Sequence, residues 1–216
     1  MPRNDRNGKR KTRDQFAGRR VPNLGYYIIV TDTKETEKNY FYGLKSSIPQ
    51  ELQGKLVITV KKANTQKLVE YAMNVASLHP QYGEVWIILD RDQVRGFDEL
   101  IAEAQDKGLN VGWTNPCIEE WFYAYFGEMP TYTDSVKCCE QFSEKYKRMV
   151  KQQYDKSDIL IYLKLNRFGD ENTAIQIAEQ KMLEHESNGK NKPSEKCPGT
   201  TVHLLIDEIQ SKIKRR

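Results

Sequence analysis

The stretch Val85-Trp86-Ile87-Ile88-Leu89-Asp90-Arg91-Asp92 is an apolar run that ends in two aspartates one residue apart. Strands buried on both faces of a sheet have this continuous Val, Ile and Leu composition, and ligands bind beyond the C-terminal ends of such strands. Residues i and i+2 of an extended segment point the same way, so Asp90 and Asp92 can offer oxygen ligands to one Mg²⁺ or Mn²⁺ ion. The pattern also fits a strand that ends in an ordinary polar turn.

Strand-like and helical patterns alternate on both sides of this run. Further strands are predicted at 25–31, 55–60 and 109–113, and helices at 36–44, 64–76, 97–107 and 117–126. Such alternation is typical of βαβ units with a parallel sheet. We therefore expect an α/β fold with a parallel sheet of about four strands flanked by helices, spanning residues 22–128.

Beyond Pro130 the pattern is mainly helical. Helices are predicted at about 134–154, 157–167, 171–185 and 200–214. The polar segment 187–196 contains Gly and Pro and is predicted to be a mobile loop. Residues 129–216 are thus expected to form a helical C-terminal region.

Composition narrows the class of protein. With 216 residues, 38% of them hydrophobic, the chain can bury a core of its own. Its four cysteines have neither CxxC spacing nor the pattern of a small secreted scaffold, so we expect neither a metal cluster nor disulfides. No apolar run has membrane-spanning length and no signal peptide is recognisable, so a cytoplasmic protein is expected.

Positive charge is concentrated at the two ends of the chain. Residues 1–20 carry eight basic and two acidic side chains, a net +6, and the last five residues add four more positive charges. Because the whole chain has a net charge of +4, the body between these ends is near −6. Residues 1–21 are expected to form a basic disordered tail. Such tails favour contact with nucleic acid, although they also fit ends that only aid solubility.

Polar residues follow several of the predicted strands. If the sheet is parallel, the ends of these strands share one edge, and polar side chains distant in sequence converge there. They are Asp32, Asp90, Asp92, Asn115 and Glu119. Four carboxylates around one crevice repel one another unless a divalent cation or a base neutralises them.

Three of these segments, in their order and spacing, resemble the RloB-like family of TOPRIM-fold proteins. The residues that carry the resemblance are Asp32-Thr33-Lys34-Glu35-Thr36-Glu37-Lys38-Asn39-Tyr40-Phe41, Asp90-Arg91-Asp92, and Thr114-Asn115-Pro116-Cys117-Ile118-Glu119-Glu120-Trp121-Phe122. The segment from Pro198 to Leu205 resembles the family's final helix, so the match covers nearly the whole chain.

The resemblance implies a TOPRIM-type catalytic core that handles phosphodiester chemistry with Mg²⁺ or Mn²⁺. It also implies a role in anti-phage defence, with an ATPase of the ABC or OLD type as a possible partner, and a homo-oligomer is possible as well. The catalytic residues would be Asp32, Asp90, Asp92 and Glu119, with the first three as metal ligands. Supporting positions would be Thr36, Glu37, Tyr40 and Trp121.

Four further residues are candidates for substrate binding, three of which carry a positive charge suited to phosphates. They are Lys34, Arg91, Arg95 and Asn115. We expect Trp113 and Trp121 to belong to the core rather than to stack on bases.

Two functions follow from these residues. The first is a metal-dependent nuclease that acts on RNA, possibly tRNA, or on DNA. The second is a catalytically weakened module that binds a nucleic acid or nucleotide signal and relays it to a partner protein. This alternative rests on Asp32-Thr33, where the family carries Glu-Gly. Aspartate is one methylene shorter than glutamate, and threonine lacks the backbone freedom of glycine.

Overall fold

A five-stranded, mostly parallel β-sheet forms the centre of the computed structural model, which describes residues 24–31, 35–60, 65–132 and 134–214. The strands are β1 (Tyr27–Thr31), β2 (Leu56–Val60), β3 (Glu84–Asp90), β4 (Asn110–Asn115) and β5 (Gly199–Thr200). They lie in the order β2-β1-β3-β4-β5, and β1 to β4 are parallel. The predicted α/β class and its four parallel strands are confirmed. A fifth, antiparallel strand was not predicted.

Helices precede, connect and follow these strands. They are α1 (Thr36–Ser47), α2 (Gln50–Gln53), α3 (Leu68–Leu78), α4 (Phe97–Asp106), α5 (Glu119–Ala124), α6 (Ser135–Val150), α7 (Ile161–Phe168), α8 (Glu171–Ser187) and α9 (Val202–Lys214). Helix α3 begins after a 3-10 turn at Thr65–Lys67, later than the sequence pattern indicated, and the short α2 was not predicted. None of the described helices combines the length and apolar composition that a membrane span requires.

The sheet is covered on both faces, as its continuous apolar strands require. Because side chains alternate along a strand, Ile28 and Val30 of β1 pack on one face and Tyr27 and Ile29 on the other. Helices α3 and α4 cover the first face. The second face is covered by α1 and α5 together with buried residues of all four C-terminal helices, such as Phe142 of α6. The division of the chain at residue 128 stays a prediction.

The outer side of β4 is covered by the returning chain just before α9. The Trp113 N–H donates to Thr201 Oγ1 over 3.0 Å, and the Thr201 N–H donates to the Trp113 carbonyl over 2.9 Å. Thr201 Oγ1 in turn donates to the Val111 carbonyl over 2.9 Å. These contacts place the start of α9 directly against β4.

The segment expected to be a mobile loop is anchored in its second half. A 3-10 turn spans Pro193–Glu195, and both the N–H and the hydroxyl of Ser194 donate to the carboxylate of Asp98, over 2.8 and 2.6 Å. The Asn115 amide donates to the carbonyls of Pro193 and Ser194, each over 3.2 Å. Partly buried hydrogen bonds therefore hold this turn at the end of β4, which a polar composition does not reveal.

Candidate functional site

Carboxylates from three separate elements meet beyond the C-terminal ends of the parallel strands. Asp90 ends β3, Asp92 lies in the 3-10 turn that follows, and Glu119 begins α5. Glu37 joins them from the first turn of α1. The predicted convergence thus holds for Asp90, Asp92 and Glu119, which we call, together with Glu37, the carboxylate cluster.

Two predicted site residues, Asp32 and Lys34, lie outside the described residues. Thr31, the last described residue before them, pairs with Ile88 of β3, two positions before Asp90. The roles predicted for Asp32 as ligand and for Lys34 as phosphate contact stay predictions.

Asp90 is the centre of the carboxylate cluster. Its Oδ2 accepts a hydrogen bond from the Ile118 N–H over 3.1 Å, whereas its buried Oδ1 has no hydrogen-bond partner among the described residues. Burial, followed by the charges of Glu37, Glu119 and Asp92, raises the pKa of Asp90 well above its usual value, and the Ile118 hydrogen bond offsets this in part. A bound cation would reverse this effect, because it favours the charged carboxylate.

Glu119 is almost completely buried, and one of its oxygens is held by two partners. Tyr154 donates its hydroxyl to Oε1 over 2.9 Å, and the Lys156 ammonium lies 3.3 Å from the same atom. Burial and the charge of Glu119 raise the pKa of Tyr154, so its hydroxyl remains a donor at neutral pH. Sequence reasoning missed both partners, because they lie in the irregular segment between α6 and α7.

Glu37, predicted as a supporting residue, lies in the carboxylate cluster itself. It is 1% exposed, and it ranks first among the charged residues that raise the pKa of Asp90. The start of α1 is fixed nearby by the Asn39 amide, which donates to the Ser157 carbonyl over 3.0 Å, and by the weaker bond from Thr36 Oγ1 to the Lys156 carbonyl at 3.4 Å. The signal available in the sequence was the Thr-Glu pair that follows the first strand.

The two aromatic supporting residues brace the helices that carry the glutamates. The Trp121 indole N–H donates to the Tyr40 hydroxyl over 2.9 Å, which links α5 to α1. The Tyr40 hydroxyl lies 2.8 Å from that of Tyr125, which donates to Glu171 Oε1 of α8 over 3.0 Å. Trp121 is fully buried, as is nearly all of Trp113, so their prediction as core residues is confirmed.

The three remaining substrate-binding candidates differ in their surroundings. Arg91 and Arg95 are exposed, and Arg91 lines an open depression together with Asp92 and Ser194. Asn115 is buried, and its amide is occupied by the turn at Pro193–Glu195. The described contacts of Asn115 are therefore structural, and a substrate contact by any of the three stays a prediction.

A group of thiols adjoins Glu119 and was not foreseen from the sequence. Cys117 Sγ lies 3.9 Å from Cys139 Sγ, and both are free thiols. The Cys138 thiol donates to Glu120 Oε1 over 3.5 Å. Burial raises the pKa of Glu120 to about 8, so this neighbour of Glu119 is largely protonated at neutral pH. Helix α6 brings these cysteines to Cys117, a contact that their sequence spacing does not predict.

Comparison with known proteins gives one family match. A family model described as RloB-like protein matches residues 27–209, most of the chain. No curated protein and no solved structure matches the chain. The matched range contains the whole carboxylate cluster as well as the thiol group.

Proposed function

The chain belongs to the RloB-like protein family, and from the carboxylate cluster within it we propose a metal-dependent nuclease with a TOPRIM-type site. Its substrate would be RNA, such as tRNA, or DNA. By the same likeness we propose a role as effector in anti-phage defence, beside a partner ATPase of the ABC or OLD type.

The observation that carries the proposal is the buried Oδ1 of Asp90. This atom has no hydrogen-bond partner among the described residues, although three other carboxylates raise the pKa of the same side chain. An unsatisfied buried carboxylate oxygen in a negative surrounding is costly unless a proton or a cation binds it. Carboxylate oxygens are the ligands that Mg²⁺ and Mn²⁺ prefer, so the donor set fits these ions.

In this proposal Asp90, Asp92 and Glu119 hold the ion, together with Asp32. When bound, the ion neutralises charge on the phosphoryl oxygens during an in-line displacement. The Ile118 N–H fixes Asp90 through Oδ2 and leaves Oδ1 available to a ligand. Tyr154 fixes Glu119 in the same way through Oε1. Arg91, which is exposed and lines a depression with Asp92, would contact a substrate phosphate in this proposal.

The test is cleavage of labelled single-stranded RNA, tRNA and duplex DNA by the full chain, with Mg²⁺, Mn²⁺ or EDTA. We expect cleavage that needs the divalent ion and is lost in the double variant Asp90→Ala/Asp92→Ala. The control Asp106→Ala alters an exposed aspartate at the end of α4 and should retain activity. Cleavage that persists in the double variant or in EDTA would contradict the mechanism. Binding without cleavage, with and without the ATPase, would favour the signal-binding module.

A further inference from the structure

Three potential metal ligands lie together where α6 packs against the start of α5. They are Cys117, which precedes α5, Glu119 itself and Cys139 of α6, and one ligand atom from each lies within 4.8 Å of the others. We propose that these residues form a second metal site, of a different chemical class, that binds Zn²⁺. The proposal does not rest on nuclease activity.

The separation of the two sulfur atoms fits a shared metal ion. Zn²⁺ binds thiolates at about 2.3 Å in tetrahedral geometry, which places two ligand sulfurs about 3.8 Å apart. Cys117 Sγ and Cys139 Sγ are 3.9 Å apart. A disulfide would need them at about 2.0 Å. The two thiols therefore stand at the distance of two zinc ligands.

This site shares Glu119 with the carboxylate cluster, and its two cysteines distinguish it. Two sulfurs and one carboxylate oxygen favour a borderline-soft ion such as Zn²⁺ over Mg²⁺, which prefers oxygen ligands throughout. Three protein ligands leave a fourth tetrahedral position for water. The neighbouring Cys138 is not needed, because its thiol donates to Glu120.

Surrounding residues already orient these ligands. Tyr154 donates its hydroxyl to Glu119 Oε1 over 2.9 Å and leaves Oε2 for an ion, whereas the Cys117 thiol donates to the Ser135 carbonyl over 3.9 Å and would lose this bond on binding metal as a thiolate. Such second-layer contacts are typical of metal sites, where they fix the ligand side chains. Cys117 and Glu119 are buried, whereas Cys139 is partly exposed and gives the ion a route from solvent.

Lys156 provides the positive charge at this position in the metal-free chain. Its ammonium lies 3.3 Å from Glu119 Oε1, and its side chain is 55% exposed. An exposed lysine can move into solvent, and a bound cation would then neutralise the buried Glu119 in its place. A bound ion would displace it, so Lys156 competes with the metal for Glu119.

The experiment is a Co²⁺ titration of the full chain, reduced with a phosphine and freed of metal with a chelator. Cobalt replaces zinc in tetrahedral sites and gives a thiolate-to-metal charge-transfer band. We expect one Co²⁺ per chain with this band, and its loss when Zn²⁺ is added. Cys139→Ser, which alters the partly exposed ligand, should weaken Co²⁺ binding at least about tenfold and remove most of the band. Circular dichroism checks the fold of each variant.

Two matched variants locate the ion. Cys197→Ser alters another partly exposed thiol, which donates to the Tyr132 carbonyl, and should keep the full band. Lys156→Gln should bind Co²⁺ severalfold more tightly than the natural chain. The proposal is overturned if the natural chain shows no thiolate band, if Cys139→Ser keeps it, or if Lys156→Gln leaves the affinity unchanged. Because the readout is a thiolate band, its outcome is independent of whether the chain cleaves nucleic acid.

Discussion

Replacing Glu120 by glutamine is expected to stabilise the protein, although the glutamate is fully buried beside the candidate site. Burial raises its pKa from 4.5 to about 8. One oxygen accepts from the Cys138 thiol, and Oε2 has no hydrogen-bond partner among the described residues. The folded chain therefore binds a proton that the unfolded chain releases above pH 4.5.

The magnitude follows from linkage between protonation and folding. Because the folded pKa lies above the unfolded one, the free energy of unfolding falls as pH rises from 4.5 to about 8. Each pH unit in this window lowers the free energy of unfolding by about 1.4 kcal/mol. At pH 7 the ionisable Glu120 therefore makes the protein about 3 kcal/mol less stable than at pH 4.5. Glutamine has a similar shape and does not ionise. We expect Glu120→Gln to be more stable by about 1–3 kcal/mol at pH 7 and nearly unchanged at pH 4.5.

The assay is urea denaturation at pH 4.5 and pH 7, in EDTA and a reductant, followed by circular dichroism. Glu140→Gln, on the exposed side of α6, is the matched control and should change stability by less than about 0.5 kcal/mol. Equal stability of Glu120→Gln and the natural chain at pH 7 would refute the reasoning. So would a gain of the same size at both pH values.

Two further predictions concern the centre of the site and the packing of α1. Asp90→Asn should raise the thermal midpoint in EDTA, because asparagine does not ionise, whereas burial and the neighbouring carboxylates oppose the ionisation of Asp90. The variant should also lose any rise caused by Mg²⁺, and a persisting Mg²⁺ shift would contradict Asp90 as a ligand. Gly43→Ala should destabilise by about 1–3 kcal/mol in urea, because the added Cβ would lie 2.5 Å from the Tyr162 Cβ of α7. Gly54→Ala, which meets open space, should stay within about 0.5 kcal/mol; equal effects of the two variants would refute the packing argument.

The parallel strands were predictable because a strand that is buried on both faces consists of a continuous run of apolar residues. Strand β5 leaves no such trace, since Gly199–Thr200 is too short for any period. The sequence predicts that the last helix begins at residue 200, but Thr200 belongs to β5 and α9 begins at Val202. The conformation of Gly199–Thr200 depends on hydrogen bonds to β4, a strand that is distant in sequence.

The candidate site was predictable for Asp90, Asp92 and Glu119, which lie at or soon after the end of a strand. Asp90 and Asp92 continue β3, so sheet geometry alone places them. Glu37 enters the cluster through the packing of α1 on the sheet, and the contact of Cys139 with Cys117 depends on how α6 packs against the start of α5. Helix packing of this kind involves side chains from distant segments, which local patterns cannot reveal.

The covering of β4 by the chain before α9 also bears on self-association. An outer strand with unpaired backbone groups is a template for pairing with another molecule, as in domain swapping and amyloid. Here Thr201 bonds to both Trp113 and Val111, with side-chain atoms taking the place of a full partner strand. Strand β5 has only two residues and is followed closely by α9, so it is too short to pair with a long strand of another molecule. Residues 199–201 therefore occupy hydrogen-bonding groups of β4 that a second molecule could otherwise pair with.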